Sequence, residues 1–300
     1  MKVLHSIDEL MPLNQPVHWA MGFFDGVHRG HRRVIESAGS PGALRGVLTF
    51  ARHPLALLAP QRQPLLLTPV PSQKRALIES LGVDVLLELP FTPQLAGMSP
   101  AEFFSALQAA CPMAGVSVGQ NWRFGRGGMG DAAFVEKYAE TMGLRACVQS
   151  MAEYEGERIC STRIREALLG GDLVSAGQML GHAFSIAGVV EPGQKLARQL
   201  GFPTANMQVH PLALLPPAGV YEVAVMVDGK LQRGIANLGL RPTIQEERKV
   251  VRLETHLLHW NGDLYGRELQ VELRRFLRPE RKFASVEELR AQIDADIQML

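Results

Sequence analysis

Val17-His18-Trp19-Ala20-Met21-Gly22-Phe23-Phe24-Asp25-Gly26-Val27-His28-Arg29-Gly30-His31 decides how the first half of the chain is read. The apolar run Val17 to Gly22 predicts a buried strand, glycines punctuate the turn after it, and the residues beyond His31 continue at helical spacing. Glycine at a strand-to-helix turn lets backbone come close to a phosphate, and the helix N-terminus adds unpaired N–H groups and a positive dipole end. His28 and His31, three apart on the first turn, face one side, so both imidazoles can hydrogen-bond a single phosphoryl group as charge builds on it. A bare H-x-G-H equally fits surface histidines near a helix start. Its place directly after the first strand is what favours an anion seat.

Outward from this stretch, Gly46 to Phe50, Val83 to Glu88, Gly115 to Val118 and Leu144 to Gln149 read as further strands alternating with amphipathic segments, the rhythm of βα units around a parallel sheet. Ser99-Pro100-Ala101-Glu102 is a capping box with Pro at the first helical position, and Asp131 and Ser161 suit N-caps. Residues 1–181 are therefore expected to form an α/β doubly wound domain. Beyond Gly181 the period changes to two, in Gly219 to Val227, Leu231 to Leu238, Arg252 to Leu258 and Glu268 to Phe276. Asp228-Gly229 is a hairpin signal, and Asn261-Gly262-Asp263 reads as a second turn of similar character. Residues 182–300 are expected to form a small antiparallel β-barrel domain with a C-terminal helix, opened by the capping box Ser285-Val286-Glu287-Glu288.

A length of 300 residues accommodates two such domains. Charge is balanced in both halves, with 16 basic and 16 acidic residues up to Gly181 and 15 and 14 beyond it. That balance argues against a nucleic-acid partner. Cys111, Cys147 and Cys160 form neither a disulfide framework nor C-x-x-C metal spacing. The N-terminus lacks the apolar core of a signal peptide, and no run reaches the ~18 apolar residues of a membrane helix. The expectation is a cytoplasmic protein acting on small molecules, with no nucleic acid and no membrane; nothing in the sequence speaks to its oligomeric state.

Further motifs carry chemistry. In Ile159 to Arg165, the hydroxyls of Ser161 and Thr162 and the guanidinium of Arg165 could hold a triphosphate, although an isolated S-T-x-x-R is also an ordinary capping motif. Gly119 to Asp131 interleaves Trp122 and Phe124 with glycines and arginines, which suits either stacking on a flat ring or merely covering the sheet edge. Thr49 to Pro54 is a weaker lead at the corresponding edge. In the second half, Gly193 to Asn206 offers a loop with Lys195 and Arg198 for phosphates, and the hard oxygens of Thr204 and Asn206 suit Mg²⁺. Glu254 and His256 would point to one face of a strand.

In combination, Gly22 to His31, Gly119 to Asp131 and Ser161 to Arg165 resemble the adenylyltransferase module of the bacterial bifunctional riboflavin kinase/FMN adenylyltransferases (FAD synthetases). G-F-P-T-A-N at 201–206, R-P-T at 241–243, Glu254-x-His256 and Asp263-Leu264-Tyr265-Gly266 resemble the flavokinase module of the same family. Six or so motifs in the family's order, spanning nearly the whole chain, are far more specific than any one of them. The resemblance implies a nucleotidyltransferase-like first domain and a riboflavin kinase barrel. It implies that Gly22, Phe24, Asp25, Gly30, Ser161, Thr162 and Arg165 bind nucleotide around catalytic His28 and His31. Asn121, Arg123, Phe124 and Arg241 would contact flavin. In the kinase, Gly193, Lys195, Arg198 and Gly201 would hold nucleotide, Thr204 and Asn206 the Mg²⁺, and Glu254 would be the base. ATP, riboflavin and FMN are the implied substrates. Ala197 stands where the family usually has glycine, Asn121 where an acid is frequent, and Ala51-Arg52 replaces an acidic-looking stretch. The competing reading is an FMN adenylyltransferase alone, with a flavin-sensing or structural barrel.

Overall fold

The computed structural model describes residues 1–11, 13–192, 202–241 and 250–300. Its chain contacts divide into two compact units, residues 1–65 with 74–161, and residues 66–73 with 162–300.

The first unit is built on a six-stranded parallel sheet in the order β1-β4-β3-β2-β5-β6. The strands are β1 (Lys2–Leu4), β2 (Val17–Met21), β3 (Leu44–Phe50), β4 (Val85–Leu89), β5 (Met113–Gly119) and β6 (Arg145–Gln149). Every residue of β2 and β4 is buried, as expected of parallel strands covered on both faces. Alternation sends Val17, Trp19 and Met21 into one apolar cluster with Phe103, Phe104 and Val116, and Ala20 into another with Phe24, Ile35 and Ile78. Gly46 makes room for that arrangement, since a Cβ there would meet the Trp19 ring at 2.6 Å. From β2 the chain runs through β3 to β4 on one side, then returns to β5 on the other. The strand order therefore reverses at β2, and the loops after β2 and β5 flank the switch point where doubly wound sheets bind ligands.

Helices fall where their caps predict. Ser99 and Glu102 form a complete capping box for Pro100–Ala110, and Asp131 caps Ala132–Met142 by accepting from the Phe134 N–H. A small hairpin of β7 (Glu153–Tyr154) and β8 (Glu157–Arg158) leads to the helix Ser161–Leu169.

The second unit closes into an antiparallel barrel, β10-β13-β12-β11-β14-β9, of strands β9 (Ser185–Glu191), β10 (Ala205–Gln208), β11 (Gly219–Val227), β12 (Lys230–Arg241), β13 (Val250–Leu257) and β14 (Glu268–Arg278). Asp228 (φ 51°) and Gly229 (φ 75°) are both left-handed, the requirement of the tight turn joining β11 to β12. Asn261-Gly262-Asp263 is a different case: β13 pairs with β10 and β12, and β14 with β9 and β11, so this segment belongs to a longer crossing rather than to a hairpin. The C-terminal helix Val286–Gln298 is capped by the Ser285 hydroxyl, but the Glu288 carboxylate accepts from the Ala284 N–H instead of completing the box with Ser285. No helix among the described residues is long and apolar enough to cross a membrane.

His18 lies fully buried in β2, hydrogen-bonded to Ser40 (2.7 Å) and Ser117 (2.9 Å). Burial, and secondarily the charge of Arg145, lowers its pKa to about 4 from the ordinary 6.5. The unfolded chain therefore binds a proton below pH 6.5 that the folded chain refuses until pH 4, and stability is lost across that window as pH falls. Denaturant unfolding is expected to show up to about 3 kcal/mol of this loss, with a shallower slope in His18→Asn. Identical slopes for the two proteins would refute it.

Candidate active sites

In the first unit the turn after β2 is held in an unusual backbone conformation. Phe24 (φ 56°) and Val27 (φ 41°) are both left-handed, which is rare for large or β-branched residues and persists only where surroundings enforce it. The Phe24 ring is 2% exposed, and a Cβ on Gly22 would strike it at 2.8 Å, so glycine there gives the ring its place. Asp25 is buried in the same turn. The turn delivers His28 as N-cap of the helix Arg29–Glu36, where its Nδ1 accepts the backbone N–H of His31 (3.3 Å). That bond assigns the proton of a neutral His28 to Nε2. The His28 and His31 rings stack at 3.5 Å with 19° between planes, and the edge of Phe24 meets His31 at 5.3 Å. Gly30 sits under the pair, a Cβ there lying 3.1 Å from the His28 ring.

Burial, then the neighbouring His28 and Lys74, hold the His31 pKa well below its ordinary value, so its imidazole is neutral at physiological pH. Its Nδ1 is buried without a hydrogen-bond partner among the described residues. An orphaned ring nitrogen beside a helix N-terminus is a group prepared for a ligand rather than for the fold.

The loop after β5 is shaped by Gly125, Gly127 and Gly128, all at positive φ. Trp122 stacks on Phe124 at 4.3 Å, and Phe124 in turn packs edge-on against Phe104. Phe124 thus backs Trp122 and ties the loop to the core. Arg123 is exposed and paired with Asp131 (2.9 Å), and Asn121 is exposed beside it. Ser161 and Thr162 open the helix Ser161–Leu169 and Arg165 follows one turn on, Ser161 in the first unit and the other two in the second.

Sequence reading passed over Lys74. It lies on the helix Pro71–Glu79, is 4% exposed, and donates to the Phe50 carbonyl (3.0 Å) and the Thr49 hydroxyl (3.4 Å) at the end of β3. No motif announces it, because a lysine at helical spacing reads as a solvated residue.

In the barrel, the register puts Asn206, Glu254 and Asn237 side by side on β10, β13 and β12, so their side chains share one face. His256 follows on that face and donates its Nδ1–H to the Pro203 carbonyl (2.9 Å), with the Phe202 ring edge-on at 5.5 Å. Asn206 donates to the backbone and hydroxyl oxygens of Thr204, both at 3.2 Å. Two cavities meet at this turn. One of about 470 Å³ is lined by Thr204, Asn206, Thr255, Trp260, Asp263 and Tyr265. The other, about 230 Å³, has Thr204, Asn206, Asn237 and Glu254 at its polar end and Ile235, Phe283, Leu289 and Ile293 as apolar walls. Asn237 donates to Glu280 (2.9 Å), and Arg278 grips Asp296 through both carboxylate oxygens, fixing the C-terminal helix over the second cavity.

The hard, neutral oxygens of Thr204 and Asn206 at the mouth of both cavities fit a divalent cation that substrate phosphates also ligate. Among the described residues no group of His, Cys, Asp and Glu gathers to hold a metal alone. Gly193, Lys195, Arg198 and Gly201 lie outside the described residues. So does the side chain of Arg241, although its backbone ends β12.

A family model described as FAD synthetase matches residues 11–163, and one described as riboflavin kinase matches residues 180–300. Proteins named bifunctional riboflavin kinase/FMN adenylyltransferase from Pseudomonas fluorescens (37% identical) and Escherichia coli K12 (38%) each align over 99% of this chain and 96% of their own. That from Listeria monocytogenes is 35% identical over 98% and 93%. A crystal structure described as a macrolide-efflux protein from Streptococcus pneumoniae superposes with a TM-score of 0.86 at 27% identity, covering 100% of this chain and 98% of its own; the efflux in that description is that protein's.

Removing one partner of the buried Arg278–Asp296 pair leaves the other charge stranded, which costs roughly 3 kcal/mol or more. Asp296→Ala is expected to lower the unfolding midpoint of the barrel accordingly. An unchanged midpoint would mean the helix is held by its apolar face alone.

Proposed function

The chain belongs to the family of bifunctional riboflavin kinase/FMN adenylyltransferases, and on that premise we propose which of its side chains carry each of the two reactions. It is an enzyme of FAD biosynthesis: it phosphorylates riboflavin to FMN with ATP, then adenylylates FMN to FAD with release of pyrophosphate. A barrel that only senses flavin is not favoured, because the riboflavin kinase family model matches that region and the relatives' names carry both activities. We assign the adenylyltransferase to residues 1–181 and the kinase to residues 182–300.

For the kinase, the juxtaposition of Glu254 with Asn206 across β13 and β10 carries the reading. Riboflavin occupies the smaller cavity, its ring against Phe283 and Ile293 and its ribityl chain toward Glu254. An alcohol is a weak nucleophile until a positioned carboxylate accepts its proton. Glu254 takes the 5′-hydroxyl proton as that oxygen bonds to the γ-phosphorus of ATP, and ADP departs. ATP extends from the larger cavity, with Trp260 and Tyr265 beside its base and Thr204 and Asn206 at its phosphates. His256 acts on Pro203 to keep that turn in place. Mg²⁺, bound by Thr204, Asn206 and phosphate oxygens, would neutralise charge on the transferring group. Gly193, Lys195, Arg198 and Gly201 complete the nucleotide loop in this proposal, and Arg241 contacts flavin.

For the adenylyltransferase, the nucleophile is already an anion, so no strong base is required. The FMN phosphate attacks the α-phosphorus of ATP and pyrophosphate leaves. His28 and the neutral His31, with the backbone N–H groups between Gly22 and Gly30, stabilise the charge that develops on the phosphates. The family resemblance assigns Ser161, Thr162 and Arg165 to the triphosphate, and the loop carrying Asn121, Arg123 and Trp122, backed by Phe124, receives the flavin. A cytoplasmic location belongs to the same proposal, supported by three cysteines that form no disulfide.

Incubation with riboflavin, Mg²⁺ and ATP, with flavins resolved chromatographically over time, tests the assignment. His31→Ala is expected to reduce FAD formation by roughly 10² to 10³-fold and leave FMN accumulating; Glu254→Gln is expected to stop FMN formation while FMN supplied directly is still converted to FAD. Equal loss of both activities in either variant would show that the sites are misassigned.

A further inference from the structure

The buried ammonium of Lys74 plays no part in the chemistry derived so far, yet it costs the fold a desolvation penalty that only its partners offset. Those partners all belong to the ends of β2 and β3. Lys74 donates to the Phe50 carbonyl (3.0 Å) and to Thr49 Oγ1 (3.4 Å), and Thr49 itself donates to the Phe23 carbonyl (2.9 Å). The ammonium also lies 4.6 Å from the centre of the Phe23 ring, a cation–π contact. A continuous chain of polar contacts thus runs from the lysine to the residue preceding left-handed Phe24.

Resting on the reading of His28 and His31 as the adenylyltransferase pair, we propose that Lys74 is a positioning residue of that site: its ammonium pins the Phe23–Phe24 turn to the end of β3 and places a positive charge beside His31.

The charged groups around it are consistent with a lysine that must stay protonated to work. Asp25 in the turn and Glu88 on β4 attract it, while Arg75, which grips Glu88, repels it. The half-buried His31 on the helix Arg29–Glu36 feels its charge. Burial dominates the balance and lowers the Lys74 pKa to about 8. Positive charge near His31 disfavours the imidazolium, so Lys74 helps to keep that ring in the neutral form. Loss of the lysine proton on the alkaline side should therefore loosen the turn and slow adenylyl transfer, whereas the barrel reaction has no dependence on it.

The test measures FAD formation from FMN and saturating Mg-ATP between pH 6.5 and 9.5, with FMN formation from riboflavin as the internal control, in wild type, Lys74→Met, Lys74→Arg and His31→Ala. The wild type is expected to lose activity with an apparent pKa near 8. Lys74→Met should cut kcat for FAD formation by roughly 10²-fold with little change in KM, show no alkaline fall, and leave FMN formation intact. Lys74→Arg, whose charge persists, should recover part of kcat with the alkaline fall moved beyond the range. Wild-type kcat in Lys74→Met, the same alkaline fall in either variant, or no fall in the wild type overturns the proposal. Should Lys74→Met fail to fold and lose both activities, the wild-type and Lys74→Arg profiles decide. Undiminished FAD formation in His31→Ala instead removes the histidine assignment, a separate failure from any result at Lys74.

Discussion

Phe24 can hold a left-handed backbone only because its ring is sealed among Ala20, Val27 and Ile35, and that burial sets the geometry of the whole first site. With the ring fixed, the turn must bring His28 to the start of the next helix in an extended conformation. From there its Nδ1 can accept the His31 N–H. The bond fixes the tautomer of one imidazole, and the stacking of the rings orients the other. Apolar packing thus determines where hydrogen-bond donors point, a transfer of precision from the core to the surface.

The two units meet different chemical demands with different side chains. An alcohol nucleophile calls for a carboxylate, and the barrel register supplies Glu254 between two asparagines. A phosphate nucleophile calls only for orientation and charge stabilisation, which in the proposed site the imidazoles of His28 and His31 and backbone N–H groups give without introducing a strong base. Closed antiparallel pairing suits the first task because cross-strand neighbours sit at fixed spacing. A parallel sheet suits the second because its strand ends open beside helix N-termini.

Elements with sustained periodicity were legible in the sequence: the β2 run, the long barrel strands and the capped helices. Short or hybrid segments were not. β1 has three residues at a sheet edge and no pattern long enough to register. β10 has four and coincides with the Pro-Thr-Ala-Asn motif, whose turn chemistry masks the strand. β9 mixes Ser185, Gly188 and Glu191 into its apolar run. Among the proposed site residues, spacing pointed to His28 and His31, whereas Glu254 took its role from the family resemblance. Lys74 and the neighbours Asn237 and Glu280 could not, because their meaning arises from partners distant along the chain. Phe124 was read as a ring-stacking residue, and its role as a buttress for Trp122 depends on a contact with Phe104 that spacing cannot reveal.

The partition formed by Thr204 and Asn206 has cavities on both sides. A wall one turn thick cannot be stiffened from one side alone. With nucleotide and flavin in those cavities as proposed, any order that one imposes on the shared residues favours the other, and linkage makes the favour mutual by the same factor.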